Sequence, residues 1–169
     1  MKLVFLDTEF TGEHAYTTPV SFGLVTLDEK ELHVTLNDYD KDQVTDWLKE
    51  NVLSKINPKE SVSKKEAYLK ISSFLKNYSQ GEKISLVSAG KMTDIILLFE
   101  MYHHQENLEA KYYHYSNYLP DYLNHKEHID LDTMFYLADI KQAANADRES
   151  YAGLDIEKKK HNALYDAKI

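Results

Sequence analysis

The sequence contains no cysteine. That absence removes disulfides, thiolate zinc sites and cysteine nucleophiles together, so a metal here must be held by carboxylate oxygen or imidazole, a donor set suited to hard cations. No apolar run approaches the roughly 20 residues of a bilayer span, and Lys2–Leu6 is cut by Asp7 before it can form a signal-peptide core. The expectation is a cytoplasmic protein with no membrane partner. A surplus of positive charge is also missing: 20 Lys and Arg stand against 28 Asp and Glu, for a formal net charge of −8. That argues against binding nucleic acid on a broad basic face. It leaves room for an enzyme acting on a strand end, because acidic clusters that bind divalent ions gain their positive charge from the ions.

What is present is ordinary for a folded protein. The 169 residues, 43% hydrophobic and 28% charged, suit one compact domain over residues 1–169. Lys2–Leu6 and Ser21–Leu27 read as strands, and Leu32–Leu36 alternates as a third. Asp42–Lys55 spaces Val44, Trp47, Leu48 and Val52 as one amphipathic helix, and Val62–Tyr78 does the same with Ala67, Leu69, Ile71, Phe74 and Leu75. Ile84–Val87, the loop Ser88-Ala89-Gly90 and the apolar stretch Thr93–Tyr102 form a strand–loop–helix unit. Leu131–Ala144 reads as helix, 145–160 as polar loop, and His161–Ile169 as the start of a last helix. Strands first, then strand alternating with helix, predict a mixed sheet covered by helices in an α/β domain.

The most informative segment is Phe5-Leu6-Asp7-Thr8-Glu9-Phe10. Side chains alternate along a strand, so Asp7 and Glu9 share one face and Leu6 and Thr8 the other. Two carboxylates converging at a strand end are unfavourable unless a cation lies between them. At the far end, His161 and Asp166 are five residues apart. On an ideal helix that spacing is about 140° round the axis, so His161 must sit in the preceding loop or at the helix start while Asp166 projects from the first turns.

Together these segments resemble the DEDDh 3′–5′ exonucleases, whose motifs are D-x-E on the first strand, a mid-chain Asp, and H-x-x-x-x-D near the C-terminus. The DEDDy branch has Tyr four residues before its last Asp, where this chain has Asn162, so the His branch fits. D-T-E-F, S-F-G-L-V and W-L-K-E-N-V-L-S-K-I look most like the small bacterial exoribonucleases of the ribonuclease T-like type. The mid-chain Asp is assigned to Asp94, which follows the Ile84–Val87 strand and opens an apolar helix; a plain helix cap is the alternative. Many relatives carry Asn five residues before this Asp and an aromatic directly before it, where this chain has Ala89 and Thr93. Asp132-Thr133 resembles a pair that the family often has at the head of a later helix, with a structural role.

The resemblance implies a ribonuclease H-like fold, a mixed β-sheet flanked by helices. It implies that Asp7, Glu9, Asp94 and Asp166 hold two divalent cations, Mg²⁺ or Mn²⁺, one activating water and the other stabilising the leaving 3′-oxygen. It makes His161 the general base and the product a nucleoside 5′-monophosphate. Substrate contacts are assigned to Phe10, Thr8 and Lys160. Phe10 stacks on the last base or packs; Lys158-Lys159-Lys160 meets the scissile strand or is a solvated run; Tyr112, Tyr113, Tyr115, Tyr118 and Tyr122 contact substrate or pack on the sheet. The expected partner is single-stranded RNA or an RNA 3′ overhang, and the expected assembly is a homodimer. A DNA exonuclease of the same chemistry, an idle binding module that retains the fold, and an unrelated carboxylate metal protein are the rivals. The sequence stops three residues after Asp166. A ligand-bearing helix normally runs further to bury its apolar face, so either the chain is clipped or another element supports this end.

Overall fold

Alternation along the first segment produces a strand with two unlike faces. In the computed structural model, which describes residues 1–90, 92–105, 114–140, 151 and 161–169, β1 (Lys2–Phe10) buries Val4, Leu6 and Thr8 on one side. Leu3, Phe5, Asp7 and Glu9 therefore take the other. β2 (Pro19–Thr26) and β3 (Glu31–Thr35) continue as an antiparallel meander, while β4 (Ile84–Ser88) and the two-residue β5 (Ile129–Asp130) join in parallel. The sheet order is β3-β2-β1-β4-β5, so the first strand lies at its centre.

One face of this sheet carries the main core. Val4, Leu6, Phe22, Leu24, Val34, Ile84 and Leu86 pack with Ala67, Ile71 and Leu75 of α2 (Lys64–Ser79) and with Ile95 and Leu98 of α3 (Thr93–Gln105). α2 starts where its sequence says it must: Ser63 accepts from the amide of Glu66, and the Glu66 carboxylate accepts in return from the Ser63 amide. A smaller cluster of Val20, Leu48 and Val52 anchors α1 (Asp46–Asn51). On the opposite face, α5 (Ala163–Asp166) packs over the three-stranded meander, and a Lys168–Glu31 ion pair of 2.6 Å ties the chain beyond it to β3. The expected α/β class, a mixed sheet flanked by helices, is the one observed. Among the described residues no helix is long and apolar enough to cross a membrane.

Three expectations need correction. The single helix drawn through 42–55 is instead a six-residue α1 between two 3₁₀ turns, Lys41–Gln43 and Leu53–Lys55. Adjacent residues of α1 point about 100° apart, and the side packed on Val20 is that of Leu48 and Val52, so Trp47 is left 55% exposed. Leu69, placed on the buried stripe of α2, is also exposed, because Ala67, Ile71 and Leu75 already fill the contact with the sheet. The helix expected over 131–144 ends at Leu137 as α4 (Leu131–Leu137), capped by Asp130 and followed by Asp139 in a left-handed conformation with φ of 57°; residues 141–150 lie outside the described set. Asp132 and Thr133 do stand at the head of that helix, where their amides donate to the Asp130 carboxylate. The same carboxylate accepts from the Gly90 amide at 3.0 Å and so ties the loop after β4 to β5.

Candidate active site

The acidic site is assembled from the two ends of the chain. Asp7 pairs with Gly23 and Glu9 with Ser21 across the antiparallel β1–β2 ladder, so these residues occupy the sheet face away from the main core. α5 sits directly on that face. A Cβ added at Gly23 would lie 2.1 Å from the Ala163 carbonyl oxygen and 2.3 Å from the Leu164 nitrogen, distances that no side chain allows. The missing side chain is what lets the helix backbone touch the sheet opposite Asp7, and Asp166 follows one turn later. Oxygens of Asp7, Glu9 and Asp166 then all lie within 4.8 Å of one another.

Asp166 is also fixed from its own side. Asn162 caps α5 by accepting from the Tyr165 amide at 3.1 Å, while its backbone N–H donates to the Asp166 carboxylate at 3.1 Å. This is the structural use of the Asn that stands where a Tyr would mark the other branch. His161 lies just before the cap, in a left-handed backbone conformation with φ of 62°. It is in the preceding loop, one of the two places that its spacing from Asp166 allows. Its ring meets the indole of Trp47 edge to face, with centroids 5.0 Å apart and planes at 79°.

Asp94 enters differently. The β1–β4 pairing ends at Phe5↔Val87, and beyond it the backbone N–H of Thr8 donates to Asp94 Oδ1 at 3.0 Å, joined by the Thr8 hydroxyl. Asp94 is buried at the start of α3, outside the three-carboxylate cluster but near enough for its charge to act on Glu9. Thr8, expected at the substrate, is buried with its hydroxyl turned to Asp94. Phe10 is half-buried and packs against the main core, past a register shift between Glu9 and Phe10. Tyr118 is buried, and the half-buried Tyr122 donates its hydroxyl to the Ser72 carbonyl, so both pack. Lys158, Lys159, Lys160, Tyr112 and Tyr113 lie outside the described residues.

The electrostatics follow from the geometry. Burial above all, and then the neighbouring Asp166 charge, push the Glu9 carboxyl up to about 8; Lys55 opposes the shift and Asp94 adds to it. Three converging carboxylates with this excess of negative charge fit a hard divalent cation, for which oxygen donors are the natural ligands. Sequence reasoning missed three residues here. Gly23 carried a signal, since a glycine inside an apolar strand marks a close backbone approach. Trp47 was read as core. Lys55 carried no signal, being one lysine among many.

Two outcomes test this arrangement. Gly23→Ala should leave the core folded but lift α5, weakening Mg²⁺ or Mn²⁺ affinity by on the order of tenfold or more in calorimetric titration; unchanged affinity would mean that α5 is not held by this contact. The pH dependence follows from Glu9, whose folded value of about 8 exceeds its ordinary 4.5. The folded chain binds the extra proton, so this contribution to stability is complete below the ordinary value and is lost as pH rises through about 8. In chelator the melting temperature should therefore fall between about pH 5 and pH 8, and Glu9→Gln should flatten that slope. Saturating Mg²⁺ should also flatten it, because the ion replaces the proton.

One solved nuclease has the same fold. The crystal structure of cell-death related nuclease 4 (CRN-4) superposes with a TM-score of 0.68 at 15% identity, covering 99% of this chain and 60% of that one. This chain thus spans about 60% of the length of that nuclease. The metal-free form of the E. coli ExoI–ssDNA complex aligns at a TM-score of 0.48 and 13% identity over 80% of this chain and 30% of that one. No curated protein matches by sequence. A family model, the 3′–5′ exoribonuclease Rv2179c-like domain, matches residues 2–169, and the chain belongs to that family.

Proposed function

We propose that the chain is a divalent-metal-dependent 3′–5′ exoribonuclease that removes nucleoside 5′-monophosphates from single-stranded 3′ ends or overhangs. The observation that carries this reading is the convergence of Asp7, Glu9 and Asp166 beside the loop that holds His161, within a domain of an exoribonuclease family. Asp7, Glu9 and Asp166 would hold the cations, with Asp94 adding charge from across Thr8. When bound, the cations supply Lewis-acid charge that acidifies an attacking water and offsets charge on the leaving 3′-oxygen.

The chain's own residues do the rest. His161 accepts a proton from that water, a task suited to an imidazole at neutral pH. Asn162 and the seat on Gly23 hold Asp166 in register with Asp7. Thr8 fixes Asp94, and Lys55 offsets part of the cluster's charge at Glu9. Lys160 is proposed to meet the scissile strand, and a homodimer to complete the substrate groove. The carboxylates ignore the sugar, so a preference for RNA requires contact with a 2′-OH.

Labelled RNA and DNA oligomers, incubated with Mg²⁺ or Mn²⁺ and with chelator, test the reading. RNA should shorten stepwise from a free 3′-OH only when metal is present, and a 3′-phosphate should block it. Cleavage of circular RNA, or activity in chelator, would refute it; faster loss of DNA than RNA would move it to the DNA enzyme. Asp7→Asn and Asp166→Asn should lose metal affinity and turnover together. His161→Ala should keep metal affinity while the rate falls by on the order of 10² to 10⁴.

A further inference from the structure

We propose that Trp47 is a positioning residue, whose indole holds the His161 imidazole in the orientation from which it takes the proton. This rests on the reading of His161 as the base. The contact itself is direct, with ring centroids 5.0 Å apart and planes at 79°, an arrangement favoured by the opposite charges of ring edge and ring face. The indole is well placed to act as a fixed wall. Its helix is anchored by Leu48 and Val52 against Val20, and begins at Thr45, which accepts from the Leu48 amide at 3.2 Å. The carbonyl of Trp47 accepts from the Asn51 side chain at 2.9 Å.

His161, by contrast, lies in a loop. It precedes a four-residue helix and stands at φ of 62°, a conformation that residues with a Cβ adopt rarely. A half-buried imidazole has two side-chain torsions to settle, and a ring standing across it removes most of the alternatives. Trp47 meanwhile contributes little to the core, since 55% of it is exposed while its neighbours Leu48 and Val52 are buried. A large aromatic left out of the core but set against the proposed base is what a positioning role requires. A simple apolar cover for the loop is the competing explanation, and it makes different predictions.

The test uses the full chain, a single-stranded RNA oligomer and saturating Mn²⁺. Trp47→Ala should lower kcat about tenfold and leave KM and Mn²⁺ affinity within about twofold. Trp47→Phe, which keeps a ring, should recover most of the rate. Trp47→Leu keeps apolar bulk without a ring, preserves the fold if alanine does not, and should be as slow as Trp47→Ala. In a His161→Ala background, Trp47→Ala should cost nothing further, because no base is left to orient. Equal rates for Trp47→Leu and Trp47→Phe, a loss carried by KM alone, or an undiminished loss in the His161→Ala background would each overturn the proposal. One readout is independent of turnover. The His161 Cε1–H resonance of the metal-free chain, assigned by its disappearance in His161→Ala, should move toward the free-imidazole position in Trp47→Ala. An immobile resonance rejects the contact, whereas a moving one in a chain inactive on RNA leaves the contact standing and removes the nuclease reading.

Discussion

The approach of a helix backbone to a strand at Gly23 is the constraint on which the site depends. β1 places Asp7 and Glu9 on one face of the sheet, but two carboxylates on one strand do not enclose anything. The third arrives from the far end of the sequence, on a helix that stands over β2 with the Ala163 carbonyl where a Cβ at residue 23 would be. A side chain there would push the helix backbone away from β2 and carry Asp166 away from Asp7 with it.

The cost of that convergence is visible in Glu9. Its carboxyl is driven up to about 8 by burial first and by Asp166 second, so at neutral pH the cluster favours a bound proton over full ionisation. Lys55 relieves this only in part, and Asp94 makes it worse. Asp94 is itself held by the Thr8 amide and hydroxyl, and this uses a backbone donor left available where β1 outruns β4. The sheet therefore supports the mid-chain acid by its irregularity: equal strands would have paired that amide with a neighbour.

Much of this was legible in the sequence, for identifiable reasons. The period of two in a strand put Asp7 and Glu9 together, and the angle between positions five apart on a helix put His161 in the preceding loop or at the helix start. The strand–loop–helix pattern located Asp94 at the head of α3. What failed did so where local rules stop short. The buried stripe drawn through 42–55 assumed one unbroken helix, but α1 is six residues between two 3₁₀ turns, and it buries the side of Leu48 and leaves Trp47 facing outward. The two residues of β5 have no periodicity to read; they form a strand because β4 and the Gly90–Asp130 tie hold them there. Thr8 and Phe10 share the strand face opposite Glu9, as a period of two expects, but only the tertiary structure says that both are engaged within the protein.

The brevity of α5 links metal binding to folding in a specific way. A helix of four residues has no stability of its own in water, since closing the first turn costs more than its hydrogen bonds return. It exists because Asn162 caps it, Gly23 seats it and Lys168 pairs with Glu31 beyond it. A surface ion pair contributes roughly 0 to 1 kcal/mol, so the seat and the cap carry most of the burden. Mutual repulsion of the carboxylates pulls the other way, away from Asp7 and Glu9. A cation bound between the three acids would reverse that repulsion and stabilise only the docked helix, because an undocked Asp166 could offer it no oxygen. On the proposed reading, ion binding and helix docking would be two views of one equilibrium, and His161, fastened to the same short helix, would reach the site by the event that completes the ligand set.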